Sequence, residues 1–153
     1  MRSGVRIGVD VGKVRIGVSR SDFHGMLATP VETVARGAGD LDRIAALVAE
    51  IDAVEIIVGL PLALSGAHTA STEDATGFAD AVARRLPTPV RLVDERLSTV
   101  SAHSAMRAAG RNQKQSRSVI DQVAAVIILQ HALDHERSSG NPPGVIVHPD
   151  EGL

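Results

Sequence analysis

The chain has 153 residues, with 16 Lys and Arg against 18 Asp and Glu for a net charge of −2, no Cys, Trp or Tyr, and two Phe. That length suits one domain able to bury roughly 70% of its unfolded surface without covalent staples. The composition excludes disulfides, thiolate nucleophiles and cysteine-ligated zinc, a global basic footprint for nucleic acid, and base stacking on aromatic rings as the main mode of recognition.

The stretch VRIGVDVGKVRIGVS, residues 5–19, contains Val-Arg-Ile-Gly-Val twice. Each copy alternates branched apolar residues with Arg or Gly, the period of a strand. A short junction separates them, so they predict the two arms of a hairpin, with Gly12 supplying a positive φ in the turn. No third copy occurs, which excludes a solenoid. A third strand, MLATPVETVA, follows a turn at Ser21–Gly25, and Pro30 marks it as an edge or a bulge. GDLDRIAALVAEI predicts a helix capped by Asp40, with Leu41, Ile44, Leu47, Val48 and Ile51 on one apolar face. VEIIVGLP has the continuous apolar character of a buried strand and stops at Gly59 and Pro61. A polar loop leads to a helix over 72–86, and PVRLVDE is a further strand. Two helices are expected over 98–109 and 117–137, joined by GRNQKQSR. Residues 138–153, rich in Gly and Pro, read as a flexible tail outside a domain of residues 1–137. The longest apolar run, VAAVIILQ, is too short to span a bilayer, and the first ten residues hold no signal-peptide core, so a cytoplasmic location with no membrane partner is expected.

The predicted order is β-β-β-α-β-α-β-α-α. An antiparallel meander of three strands is extended by two parallel strands from αβ units, giving a mixed five-stranded sheet flanked by helices. This α/β arrangement is RNase H-like. Ligands of such sheets gather at the C-terminal ends of the strands, which directs attention to the acids there.

Asp10 ends the first strand, where Asp is disfavoured; alone it would also serve as a turn cap. Asp94 and Glu95 end the strand VRLV, and neighbouring residues of a strand point to opposite faces, so one of the two faces the side of Asp10. Asp121 shares a helix face with Ala124, Ala125 and Ile128. A carboxylate on an apolar face is costly unless paired or metal-bound, although one in the first turn also benefits from the helix dipole. Together the three positions form a constellation of carboxylates that would repel one another unless divalent cations neutralised them. Oxygen-only ligands select Mg²⁺ or Mn²⁺, and two such ions suit phosphodiester hydrolysis.

RIGVDVGKVRIGVSRSD, IIVGLPLALSG, VRLVDERLST and SVIDQVAAVIILQ resemble, in order, the four conserved blocks of the YqgF family, whose members are RuvX-like Holliday-junction resolvases or pre-16S rRNA nucleases. The resemblance spans about residues 5–133. It implies an RNase H-like fold, a divalent-metal nuclease activity, and a nucleic-acid substrate, either branched DNA or precursor rRNA. Branched DNA would favour a homodimer, since a four-way junction offers two symmetric cuts. Matched residue by residue, Asp10, Glu95 and Asp121 fall on the catalytic and metal-binding acids, with Asp94 as the alternative to Glu95. Two positions depart from the family pattern. The turn lysine, Lys13, is displaced by one residue, and Ala63 stands where Asn is common.

Lys13, Arg15, Arg96, Arg107, Arg111, Lys114 and Arg117 are candidate phosphate contacts. The run from 107 to 117 has the strongest claim, because it precedes the helix carrying Asp121. His131 and His135 have the i, i+4 spacing of a zinc pair; without an evident third ligand they read as surface residues. Two other functions compete with a nuclease. A non-catalytic RNA-binding assembly factor on the same fold would have no need of the acids. An actin-like phosphotransferase would share the Asp-x-Gly hairpin but would need a second domain.

Overall fold

The computed structural model describes residues 1–98 and 117–149. In chain order its elements are β1 (Arg6–Val11), β2 (Arg15–Ser21), β3 (Ala28–Ala35), α1 (Asp40–Ile51), β4 (Glu55–Leu60), α2 (Ala70–Arg85), β5 (Val90–Asp94), a 3₁₀ turn (Glu95–Ser98), α3 (Arg117–Ser139) and β6 (Val145–Ile146). The predicted helix over 98–109 lies outside the described residues, apart from Ser98, which ends the 3₁₀ turn.

One sheet runs in the order β3-β2-β1-β4-β5-β6. The hairpin pairs Val9 with Val18 and Asp10 with Gly17, and β3 continues the meander along β2. The β4 strand joins β1 in parallel and β5 joins β4 in parallel. Pro30 does mark a bulge on an edge strand: the β2–β3 register slips between Val18 and Ser19, opposite Glu32 and Pro30.

The sheet has six strands where five were expected. Val145 and Ile146, in the segment read as a tail, pair antiparallel with Leu92 and Arg91, and the Val147 amide donates to the Val90 carbonyl at 2.8 Å. The sixth strand covers an edge of β5 that would otherwise be open. Only two residues long and flanked by Gly and Pro, it carries too little periodicity to be read from sequence.

Two further expectations need correcting. Gly39, at φ 91°, is the N-cap of α1, and Asp40 is the first helical residue, its carboxylate accepting from the Gly37 amide at 3.1 Å. Gly12 is not among the positive-φ glycines. Its role is clearance, since a Cβ there would lie 2.5 Å from the Arg15 carbonyl to which the Gly12 amide donates.

Strand alternation divides the interior in two. Ile7, Val9, Ile16, Val18, Ile56, Val58 and Val90 pack with Ile44, Leu47 and Val48 of α1 and with Phe78, Ala79 and Val82 of α2. The opposite face belongs to α3, whose Ile128, Leu129, Ala132 and Leu133 pack on Ile57 and Ala28. At the far end of α3 an ion network around the buried carboxylates of Glu55 and Glu136 ties helix to sheet. Glu136 accepts from Arg2 at 2.6 Å and Arg6 at 3.2 Å, while Glu55 accepts from Arg2 at 3.0 Å and Arg91 at 2.9 Å. No helix of the described residues is long and apolar enough to cross a membrane.

Candidate active site

The α3 side of the sheet is lined by glycine where the neighbouring helix comes close. On β1 and β2 this side carries Gly8, Asp10, Gly17 and Ser19. A Cβ on Gly8 would lie 2.7 Å from the Leu129 Cβ and 3.0 Å from the Ala125 carbonyl. A Cβ on Gly17 would collide with the backbone carbonyl of Asp121. The Ser19 hydroxyl donates to the Ala125 carbonyl at 2.8 Å. The first turns of α3 therefore lie directly on the hairpin. Because Gly17 is the register partner of Asp10, the same contact carries Asp121 to the Asp10 corner.

Glu95 reaches this corner from the other direction. The strand β5 ends at Asp94 and the chain tightens into the 3₁₀ turn. Gly59 on the neighbouring β4 leaves the space, since a Cβ there would meet the Glu95 carboxylate and, at 2.7 Å, Ile128 Cδ1. The Asp10 and Glu95 carboxyls are hydrogen-bonded to each other. Burial pushes Asp10 up to about 6; the bond from Glu95 opposes this and the charge of Asp121 reinforces it. Burial likewise pushes Glu95 up to about 8, and the charge of Asp10, its hydrogen bond and the charge of Asp94 all add to the rise. Two carboxyls in contact need a proton or a cation between them. Here the two carboxyls share a proton across their hydrogen bond, and both are pushed up from the usual carboxylate range.

Asp94 is held differently. Arg96 Nε lies 2.9 Å from one Asp94 oxygen and 3.1 Å from the other, Nη2 adds a bond at 2.6 Å, and the Arg96 amide donates at 2.9 Å. The bonds from Arg96 hold the Asp94 carboxyl below the usual carboxylate range. Of the two adjacent acids, Glu95 meets Asp10 and Asp94 is occupied by Arg96.

Asp121 also has a partner on the protein. Arg15 Nε donates to its Oδ2 at 2.9 Å. The three carboxyls are balanced within the chain by a shared proton on the Asp10–Glu95 pair and a guanidinium on Asp121. Among the described residues no three His, Cys, Asp or Glu side chains come together closely enough to hold an ion between them. The donor chemistry still fits a hard divalent cation: two half-buried carboxyls in contact, and a third on the same corner held by an ion pair.

Of the candidate phosphate contacts, Arg15 and Arg96 are both committed to acids of this corner, and Lys13 is exposed in the turn, its charge acting on Asp74. Arg107, Arg111 and Lys114 lie outside the described residues, as does the side chain of Arg117, which opens α3. Two contributors escaped sequence reading. Gly17 looked like a repeat residue, and only its pairing with Asp10 shows its purpose. Arg36 donates to the Gly12 carbonyl at 2.8 Å and to both Asp74 oxygens at 2.9 Å, over the Phe78 ring, clamping the turn after Asp10 to α2.

The strand order, with helices on both faces of the mixed sheet, defines an RNase H-like domain. Among solved structures, the chain resembles Thermus thermophilus RuvC in complex with a Holliday junction substrate, with a TM-score of 0.56 and 16% identity over 91% of this chain and 99% of that one. A second Thermus thermophilus RuvC structure gives a TM-score of 0.53 at 17% identity, with the same coverage. The family RuvX: Holliday junction resolvase matches residues 4–135, and the chain belongs to it. A relative from Leifsonia xyli subsp. xyli, named "Putative pre-16S rRNA nuclease", is 66% identical across 99% of both chains. One from Thermobifida fusca with the same name is 56% identical over 96% of this chain and 98% of its own.

Proposed function

We propose that this protein is a divalent-metal-dependent endonuclease that processes the 5′ end of precursor 16S rRNA. The observation that carries the reading is the half-buried, hydrogen-bonded Asp10–Glu95 carboxyl pair at the C-terminal edge of the parallel strands, with Asp121 beside it. Asp10, Glu95 and Asp121 are the residues that would hold Mg²⁺ or Mn²⁺, with two ions expected. The chemistry supplied at such a pair of ions is activation of a water and stabilisation of the leaving oxygen. The protein's own part is to hold the carboxyls in place. Gly17 and Gly59 give them room, Ser19 fixes α3, and Arg36 holds the turn behind Asp10.

The names of the close relatives support rRNA as the substrate. The family name and the RuvC-like fold keep four-way junction DNA as the second substrate to be tested. Lys13 and the basic run of Arg107, Arg111, Lys114 and Arg117 are the proposed phosphate contacts.

The test is a parallel cleavage assay of wild type and Asp10→Asn on precursor 16S rRNA and on four-way junction DNA in Mg²⁺. Wild type should cut the rRNA, and Asp10→Asn should cut neither substrate while keeping its fold. Equal cleavage by the two proteins would refute the mechanism. Cleavage of junction DNA alone would reassign the substrate and would call for a homodimer.

A further inference from the structure

Arg15 is the first residue of β2 and lies two positions before Gly17 on the α3 side of the sheet. Its Nε donates to Asp121 Oδ2 at 2.9 Å, with side-chain exposures of 33% for Arg15 and 22% for Asp121. Among the described residues Asp121 is the acceptor of Arg15. The Nη groups, the part of a guanidinium that best matches a phosphate, have no acceptor among those residues.

An oxygen that accepts from a guanidinium is not free to ligate a cation, and the positive charge beside it repels a second one. The pair is also only partly shielded, so it is held by a modest free energy and can be exchanged. A cation entering at Asp121 releases Arg15 at the rim of the site, next to where a substrate phosphate would lie.

We propose that Arg15 is an internal counter-cation at Asp121, exchanged for a divalent ion and released to a nucleic-acid phosphate when that ion binds. Metal and polyanion then bind cooperatively, because each draws Arg15 away from the position that hinders the other, and the coupling is reciprocal. The inference rests on reading Asp10, Glu95 and Asp121 as a divalent-ion site. Arg15 is a positioning residue in this account, acting through Asp121.

The test is calorimetric titration of Ca²⁺ into the full chain, with and without four-way junction DNA, for wild type, Arg15→Gln, Arg15→Lys and Asp121→Asn. Arg15→Gln should bind Ca²⁺ about three- to fivefold more tightly than wild type, the size expected when a partly exposed ion pair no longer competes. Arg15→Lys should fall between the two. Junction DNA should tighten Ca²⁺ binding by wild type and have a smaller effect on Arg15→Gln. A merely structural Arg15 would weaken Ca²⁺ binding when removed, so equal or weaker binding by both folded Arg15 variants overturns the proposal. Asp121→Asn separates the two levels. If it binds Ca²⁺ like wild type, the site assignment fails and this inference with it. If it binds weakly while the Arg15 variants gain nothing, only the role of Arg15 fails.

Discussion

The backbone carbonyl of Asp121 rests against the α carbon face of Gly17, with no room for a Cβ between them. Since Gly17 pairs with Asp10, this one contact sets the distance between an acid on a strand and an acid on a helix. Gly17→Ala must lift or tilt the start of α3. The expected cost is about 1–3 kcal/mol, as for other overpacked sites, read from urea unfolding. Cleavage should fall by more than the lost stability accounts for, because Asp121 moves with the helix.

Glu95 and Asp94 are neighbours in sequence with opposite surroundings, so their amide variants should differ. Glu95→Gln removes a carboxyl bonded to Asp10 and should lower the cleavage rate by about a hundredfold or more. Asp94→Asn loosens Arg96 without touching that bond, and the expected loss is about tenfold, that of a supporting contact. Single-turnover rates at saturating Mg²⁺ make the comparison.

The metal-free protein should lose stability toward alkaline pH. Asp10 and Glu95 both hold their protons more tightly folded than unfolded, with values near 6 and 8. The stability they contribute is fully present below the ordinary carboxylate range and is lost as pH rises through those values. The melting temperature in chelator should therefore fall between about pH 5 and pH 8. Asp10→Asn should flatten that slope. Added Mg²⁺ should restore wild type at pH 8, provided the pair is the ion site. A flat wild-type profile would contradict the hydrogen-bonded carboxyl pair itself.

At the other end of α3, Glu136→Ala would leave the buried Arg6 guanidinium without its carboxylate partner. Breaking a buried pair from one side costs about 3–5 kcal/mol, measurable by denaturant titration. Because this network lies at the far end of the helix from Asp121, the rate of the remaining folded protein should change little.

Much of the candidate site was legible because strands reject carboxylates and apolar helix faces reject them too. Asp10 and Asp121 broke the patterns around them and could be singled out from sequence. Choosing between Asp94 and Glu95 required the point at which β5 ends and the 3₁₀ turn begins, a boundary that residue preferences do not fix. The Arg15–Asp121 pair links residues 106 positions apart, and no local pattern announces it. Arg36 reads as an ordinary surface arginine until the fold brings Asp74 and the Gly12 carbonyl to it. The sixth strand was missed because it exists only by pairing with β5.

Because β1 and β2 run antiparallel, the glycines of the two pentapeptide copies are not side by side: Gly8 faces Ser19 and Gly17 faces Asp10. They accept α3 at two points, near Leu129 and at Asp121, separated along the helix by about 12 Å at 1.5 Å per residue. A rod seated in two notches can neither slide nor swing, so the address of the Asp121 carboxylate is set by methyl groups the sheet lacks. The outward face of α3 is then free to drift in sequence without moving the acid, whereas the first hairpin is not: a single added carbon at either notch unseats the helix.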